Sequence, residues 1–447
     1  MILYILLTSS YLFITSEFIE ENFYYLFVHL LLYFFYKSEK NFFRFFFFLF
    51  GIFSLATPIL IEELARDMNL VISYDHYHYL PESLLYISIY LSILVVNIVS
   101  FSYFFKKTKP ILSNLAISFN GYFLNPLAII IITTILMLFS YAWLFSIGYL
   151  SYIEERPSSP FITIALAFSS LAITLILCIG YMIKMNNITK RNTYICIYVL
   201  IIFCSVYFGF VSGSRMALIF PIMALIFNHQ DFFVKRLWIF IFLSPLAFFV
   251  FTAMGLTRTL QFEVNLASLY FFITENNSII DLGVHIIVDR FNYLRAINEV
   301  VTTYSSSFQI HDDYLQNIYG LVPRLFWPDK PIMGIDLNYI GIEMGVTNPN
   351  DRTTSYGLHF IGESFYQLKW LGLIIAFLQG IIFAKIDSIR EKTSIVSHVL
   401  VFQLTIFTVM TGTLLTLIPE LIMLLIPITI LSALLNSNKD EKTFNSL

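Results

Sequence analysis

Twelve apolar runs, separated by short connections that hold most of the charge, constrain this chain more than anything else in it. They fall at 1–16, 23–36, 42–60, 84–105, 126–148, 161–183, 193–211, 216–228, 237–254, 367–384, 395–412 and 416–435. A helix that crosses a bilayer needs about 20 apolar residues, and backbone inside lipid must satisfy its own hydrogen bonds. Ten of the runs suit that role. The runs at 23–36 and 216–228 are short, and each fits a tilted or re-entrant segment as well as a full crossing. Composition removes the soluble alternative: of 447 residues 58% are hydrophobic and 12% charged, against about 25% charged in soluble domains. A nucleic-acid binder, a disulfide scaffold and a soluble two-domain enzyme are thereby excluded. Cys178, Cys196 and Cys204 lie inside apolar runs, where a thiol behaves as a small hydrophobe. The first 16 residues carry no basic n-region and no small-residue cleavage site, so an uncleaved first span is expected. The expected fold is an all-α polytopic integral membrane protein with about twelve transmembrane helices.

The basic residues orient it. With a cytoplasmic N-terminus, the inner connections hold Lys37, Lys40, Arg44, Lys106, Lys107, Lys109, Lys184, Lys190, Arg191, Lys235, Arg236, Lys385, Arg390, Lys392, Lys439 and Lys442. The short outer connections hold Arg66, Arg156 and Arg215. Sixteen against three is a strong positive-inside asymmetry, so both termini are expected in the cytoplasm. The chain then divides into nine spans over 1–254, one large outer loop over 255–366, and three spans with a cytoplasmic tail over 367–447. A connection of that length is usually functional, so function is sought in the loop.

Within the loop, Gly283 to Tyr304 places Ile287, Phe291, Leu294, Ile297 and Val301 at steps of three and four, the period of an amphipathic helix. Its other face offers Asp289, Arg290 and Glu299, with Arg295 in the same stretch. A helix that covers the ends of the spans accounts for that period without any further role. His311, Asp312 and Asp313 follow, and the aspartates suit either helix capping or acid–base work. From Leu321 to Pro331, Pro323, Pro328 and Pro331 fix a stiff, extended path. Trp327 suits the headgroup level, and the rigid backbone holds Arg324 and Lys330 beside it, where a lipid diphosphate would lie. Arg352 sits in a glycine-punctuated stretch that leads through His359 to Glu363, expected at the outer mouth of the tenth span. A carboxylate at the hydrocarbon edge is costly and so a functional candidate; Lys369, six residues on, is its simplest structural partner. Arg215 in the Gly-Ser-Arg turn and Arg258 after the ninth span also face this side. Each alone is an ordinary snorkelling arginine, whereas together they argue for an anion site.

The twelve spans, the single large outer loop, Gly213 to Arg215, the Pro-Arg-x-x-Trp-Pro-x-Lys-Pro run from Pro323 to Pro331, and the Gly362-Glu363 pair together resemble the Wzy-type oligosaccharide repeat-unit polymerases of bacteria. The paired Arg-x10-Gly motifs of some members have no counterpart here, so no catalytic assignment carries over from them. The resemblance implies a GT-C-like architecture and a glycosyltransferase of O-antigen or capsule synthesis at the outer face of the bacterial inner membrane. Its substrates would be oligosaccharides linked through diphosphate to undecaprenyl lipid. A flippase and a chain-length regulator of the same pathway are the implied partners, and no nucleic acid is.

Such chemistry develops negative charge on a departing lipid diphosphate. Arginine suits it because its planar fork binds phosphate oxygens bidentately and keeps its charge. The candidates for diphosphate or substrate binding are Arg215, Arg258, Arg290, Arg295, Lys330, Arg352, Trp327 and His359, with Arg324 placed in the catalytic group. Glu363, His311, Asp313 and His359 are the candidate bases for the acceptor hydroxyl, Glu363 first among them. No cofactor and no metal is expected, since P-loop, dinucleotide and HExxH patterns are missing from the chain. An O-antigen ligase shares the donor and differs in the acceptor. A flippase would need polar residues through the middle of several spans, and the apolar runs hold few. Cysteine labelling in intact cells should find positions near 107, 187, 388 and 442 on the cytoplasmic side and positions near 155 and 310 outside; labelling of 310 from the cytoplasm would overturn the orientation.

Overall fold

A computed structural model describes residues 2–15, 19–39, 41–67, 79–107, 126–148, 160–184, 191–211, 215–233, 236, 293–305, 359–389 and 395–410. Every regular element among them is a helix: α1 (Ile2–Thr15), α2 (Ile19–Ser38), α3 (Phe42–Gly51), α4 (Thr57–Asp67), α5 (Pro81–Lys107), α6 (Pro126–Ser146), α7 (Pro160–Lys184), α8 (Arg191–Val211), α9 (Arg215–Asn228), α10 (Gln230–Phe233), α11 (Tyr293–Tyr304), α12 (His359–Leu368), α13 (Gly372–Ser388) and α14 (Ile395–Met410). Among the described residues five stretches are long and apolar enough to cross a membrane: Phe42–Glu63, Pro81–Lys106, Leu127–Ser146, Arg191–Gly209 and His359–Ser388. The protein is therefore an all-α protein with membrane-crossing helices. The expected spans at 237–254 and 416–435 lie outside the described residues.

Two compact units divide the chain. One comprises 1–109, 276–388 and 404–422, the other 110–275, 389–403 and 423–447.

In the first unit α3 carries almost nothing but phenylalanine. Phe42, Phe43, Phe45, Phe46, Phe47 and Phe48 are all buried, as expected of a helix apolar all round its circumference. Arg44 is buried with them and needs a partner. Asp387, in the last turn of α13, supplies it: Nε donates to Oδ1 at 3.0 Å and Nη2 to Oδ2 at 2.6 Å, with side-chain exposures of 4% and 0%. Asn41 caps α3 by accepting from the Arg44 backbone N–H at 2.9 Å and donates to Asp387 Oδ1 at 2.7 Å. Ser38 Oγ accepts from Nη1 at 2.5 Å. Glu39 adds a second carboxylate 3.4 Å from Nη2 and is itself held by Lys106.

Between α3 and α4 the helix passes through one π-turn, Ile52–Ala56, in which Thr57 N–H bonds back to Ile52 O. Pro58 explains the slip, since its ring has no N–H to continue the ladder. Tyr24 Oη donates to Leu55 O in that turn at 3.0 Å.

Helices α5 and α13 run parallel and very close. A Cβ on Gly380 would come within 2.5 Å of Asn97 Cβ, and one on Gly372 within 2.5 Å of Tyr86 Oη. Small residues permit this approach between spanning helices. Ser102 Oγ donates to Ala384 O at 3.2 Å and Tyr90 Oη to Gln379 Oε1 at 2.6 Å along the same seam.

The second unit packs α7, α8 and α9 around Asn228. Its Nδ2 donates to Ile176 O at 2.9 Å and to Tyr198 Oη at 3.0 Å, while His398 Nε2 lies 2.9 Å from its Oδ1. Gly180 leaves room for this amide, which a Cβ would meet at 2.1 Å. The expectation of spans nearly free of polar side chains needs correction here: Asn228, Gln379 and His398 are buried. Each is matched across a helix interface, which is how spanning helices are joined.

Removing one partner of a buried ion pair strands the other charge, at a cost of about 3–5 kcal/mol, whereas replacing both by apolar residues is often neutral. Asp387→Ala should therefore lower the unfolding temperature sharply in detergent, and Arg44→Met with Asp387→Leu should recover most of the loss. A double variant no more stable than Asp387→Ala would show that the pair is not the fastening described.

Candidate functional site

The stretch His359–Ser388 is not one rod. Lys369 has a φ of 54°, and after it the chain reverses through a short 3-10 turn, Lys369–Leu371, into α13. Helix α12 consequently lies back against α13: Phe360 meets the Phe383 ring at 5.9 Å, and Gly372 sits against the Ser364 carbonyl. Ser364 Oγ lies 3.1 Å from Tyr90 Oη, and Phe365 packs on Tyr86 at 4.9 Å, so α12 follows the Pro81 half of α5. Glu363 thus sits on a helix packed against α5 and α13.

Nine consecutive residues of α12, His359 to Gln367, are buried. Among them His359, Glu363 and Gln367 recur at intervals of four and share one face of the helix. Glu363 is 2% exposed. A carboxyl and an imidazole so enclosed do not arise from packing economy, because burying polar groups costs free energy that apolar residues would avoid.

Helix α11 lies alongside. Tyr293 reaches the His359 ring at 5.2 Å and Tyr304 the Tyr366 ring at 5.1 Å, so the two helices point the same way. The apolar face read from the sequence is the buried one: Leu294, Ile297 and Val301 are enclosed. Asn298 is enclosed with them, and its Oδ1 accepts from Leu80 N–H at 2.8 Å, just before α5 begins. Tyr79 is fastened too, its N–H donating to Glu21 Oε1 at 3.2 Å and its Oη to Glu62 at 2.9 Å. The helix from the 255–366 segment is therefore built into the bundle.

His359 opens α12 with a φ of 59°, in the left-handed region that favours glycine. Its ring lies against Phe360 at 3.9 Å, Tyr293 at 5.2 Å and Phe50 at 5.8 Å. Nδ1 is buried with no hydrogen-bond partner among the described residues. Strained backbone of this kind persists where surrounding structure fixes it, and it concentrates at functional sites.

Of the residues singled out in the sequence, the structure brings Glu363, His359 and Arg295 onto two adjacent helices. Arg295 Nε donates to Glu299 Oε1 at 3.0 Å, a half-buried pair within α11. Arg215 is the first residue of α9, in the other unit, and its side chain is not among those described. Arg258, Arg290, His311, Asp313, Arg324, Trp327, Lys330 and Arg352 lie outside the described residues. Sequence reasoning missed Tyr293, Asn298, Tyr90 and Gln379. For Asn298 and Gln379 a signal existed, a polar residue in an apolar stripe; for the tyrosines there was none, since aromatic residues are everywhere in this chain.

Comparison with protein-family models, with curated proteins and with solved structures returns no match. The fold and site define the class alone: a membrane-crossing helical protein with a helix folded back beside its spans, carrying a buried carboxyl.

The left-handed backbone gives a test of the strain at His359. His359→Ala and His359→Gly both remove the ring from between Phe50 and Tyr293, but only alanine keeps a Cβ, which in this conformation costs about 1–2 kcal/mol. His359→Gly should therefore unfold at a higher temperature than His359→Ala. The reverse order would mean that the backbone at this position carries no strain.

Proposed function

We propose that this chain is a glycosyltransferase that joins lipid-diphosphate-linked oligosaccharide repeat units into a surface polysaccharide, working at the outer face of a bacterial cytoplasmic membrane. The observation that carries the reading is Glu363, 2% exposed on a helix folded against α13 and flanked by α11 from the 255–366 segment. That arrangement holds a proton acceptor inside the protein, where the long polar segment meets the spans. The sequence adds the rest: the positive-inside asymmetry, the proline-bracketed run from Pro323 to Pro331, and arginines at 215, 258, 290, 295, 324 and 352.

In this reading the acceptor hydroxyl of one repeat unit attacks the anomeric carbon of the growing chain. The new glycosidic C–O bond forms as the anomeric C–O bond to the diphosphate breaks, and the lipid diphosphate leaves. Glu363 takes the hydroxyl proton. The arginines, Arg324 foremost, neutralise the charge that grows on the leaving group. The leaving diphosphate carries the driving force, so neither nucleotide nor divalent ion enters the step.

Purified protein given only undecaprenyl-diphosphate repeat units should make a ladder of longer lipid-linked glycans in the presence of EDTA. Glu363→Gln keeps size and hydrogen-bonding reach but loses the proton acceptor, and the rate should fall by about 10²–10⁴-fold. A ladder that requires added metal would refute the arginine mechanism. Repeat units left without elongation would refute polymerisation, and an unchanged Glu363→Gln rate would refute the base.

A further inference from the structure

Asn97 stands deep in the membrane-crossing stretch Pro81–Lys106. At about 1.5 Å per residue it lies roughly 24 Å from Pro81 and roughly 14 Å from Lys106 along the helix. An asparagine side chain is too short to reach water from that depth, so its amide needs a partner within the membrane. Asn228 and Gln379 meet the same need across helix interfaces. Asn97 does not: among the described residues its amide makes no hydrogen bond. It lies over Gly380, where an added Cβ would stand 2.5 Å from its Cβ and 3.3 Å from its Nδ2. Glycine has no side chain with which to answer the amide, and the polar group is left open on that side.

The surroundings narrow the choice of partner. Asn97 is half-buried and lines an open groove of about 690 Å³ between α5 and α13, whose walls are otherwise apolar except for Ser92. Ser92 Oγ is already spent on Ser88 O at 2.7 Å. Val96, Ile374 and Phe377, on the same groove, are exposed. Whatever covers this face must bring a donor and an acceptor to the depth of Asn97. Acyl chains have neither, and lipid headgroups do not reach so far in. A second copy of the chain supplies both by symmetry. A two-fold axis along the membrane normal preserves depth, so Asn97 of the second copy meets the first at one level. The amide is self-complementary across such an axis: each Nδ2 donates to the other Oδ1.

We infer that the outward α5–α13 face is the interface of a homodimer whose two copies share one orientation, fastened inside the membrane by reciprocal Asn97 amide bonds. Val96, Ile374 and Phe377 pack around those bonds, and the small Ser92 lets the two copies of α5 approach. Lipid covers apolar side chains as well as protein does, so packing of those residues alone selects no face; the amide does. The interface is independent of the chemistry proposed at Glu363, which lies on α12.

The test uses the full chain with Cys178, Cys196 and Cys204 replaced by alanine. In membranes treated with a mild oxidant, Val96→Cys should give a disulfide-linked dimer, and Phe139→Cys on α6, a site at least as exposed, should not. Association is then measured by energy transfer between labelled copies in liposomes diluted with lipid. Asn97→Leu keeps the size of the side chain and removes the amide, so it should weaken association roughly tenfold or more while the protein folds with unchanged helix content. A bridge at position 96 that forms as readily in Asn97→Leu would overturn the part given to the amide. A monomer would overturn the dimer itself: one destabilised by Asn97→Leu would place the amide against another segment of the same chain, and one indifferent to it would leave the groove to lipid chains.

Discussion

One buried ion pair determines how the first unit is assembled. Arg44 and Asp387 are 343 positions apart, and their bidentate bond joins the start of α3, among buried phenylalanines, to the end of α13. Neither charge can be left alone in such surroundings, so the two helix ends have one acceptable arrangement, and Asn41, Ser38 and Glu39 complete it. With that end fixed, Gly380 and Gly372 bring α13 against α5 along its length. The chain turns back at Lys369, and α12 packs against both α5 and α13. Dispersion among phenylalanine rings supplies cohesion here, but it is indifferent to register; the ion pair and the glycines choose among packings that the rings alone would accept.

The same logic explains why strain gathers at α12. A helix of ten residues buried on nearly every side must enter and leave within little space, and both ends do so through left-handed residues that are not glycine. The cost is offset by what each side chain then touches: His359 is enclosed by Phe50, Tyr293 and Phe360, and Lys369 by Tyr304 and Phe365. Sequence chosen for stability alone would place glycine at both positions.

Much of the architecture was legible because apolar length is a one-dimensional property. The runs at 84–105, 126–148 and 193–211 match α5, α6 and α8 to within a few residues. The period of the amphipathic helix picked out Leu294, Ile297 and Val301 as a buried stripe, which they are. The fold-back of α12 was not legible. Its ten residues read as the approach to a span, and what separates approach from hairpin is the backbone at Lys369, which lysine gives no reason to expect. The pairing of Arg44 with Asp387 was equally hidden: each residue counts correctly as a charge near a helix end, and nothing local to either names the other. Glu363 was found from cost, by asking why a carboxylate stands at the edge of an apolar run, and that question needs no knowledge of the fold.

Cost also separates a transfer site from a transport path. A solute path through the bilayer requires polar side chains facing a shared lumen from several helices. Several buried polar groups bond one another: Tyr90 with Gln379, Asn228 with Ile176, Tyr198 and His398, Arg44 with Asp387. Each bond joins neighbouring helices within one unit. The face of α12 that holds His359, Glu363 and Gln367 is different in kind, for it gathers ionisable and amide groups on a short helix at a strained position next to α11. A carboxyl, an imidazole and an amide on one face of a short helix beside α11 suit chemistry at a fixed place, and the enzyme reading rests on that face.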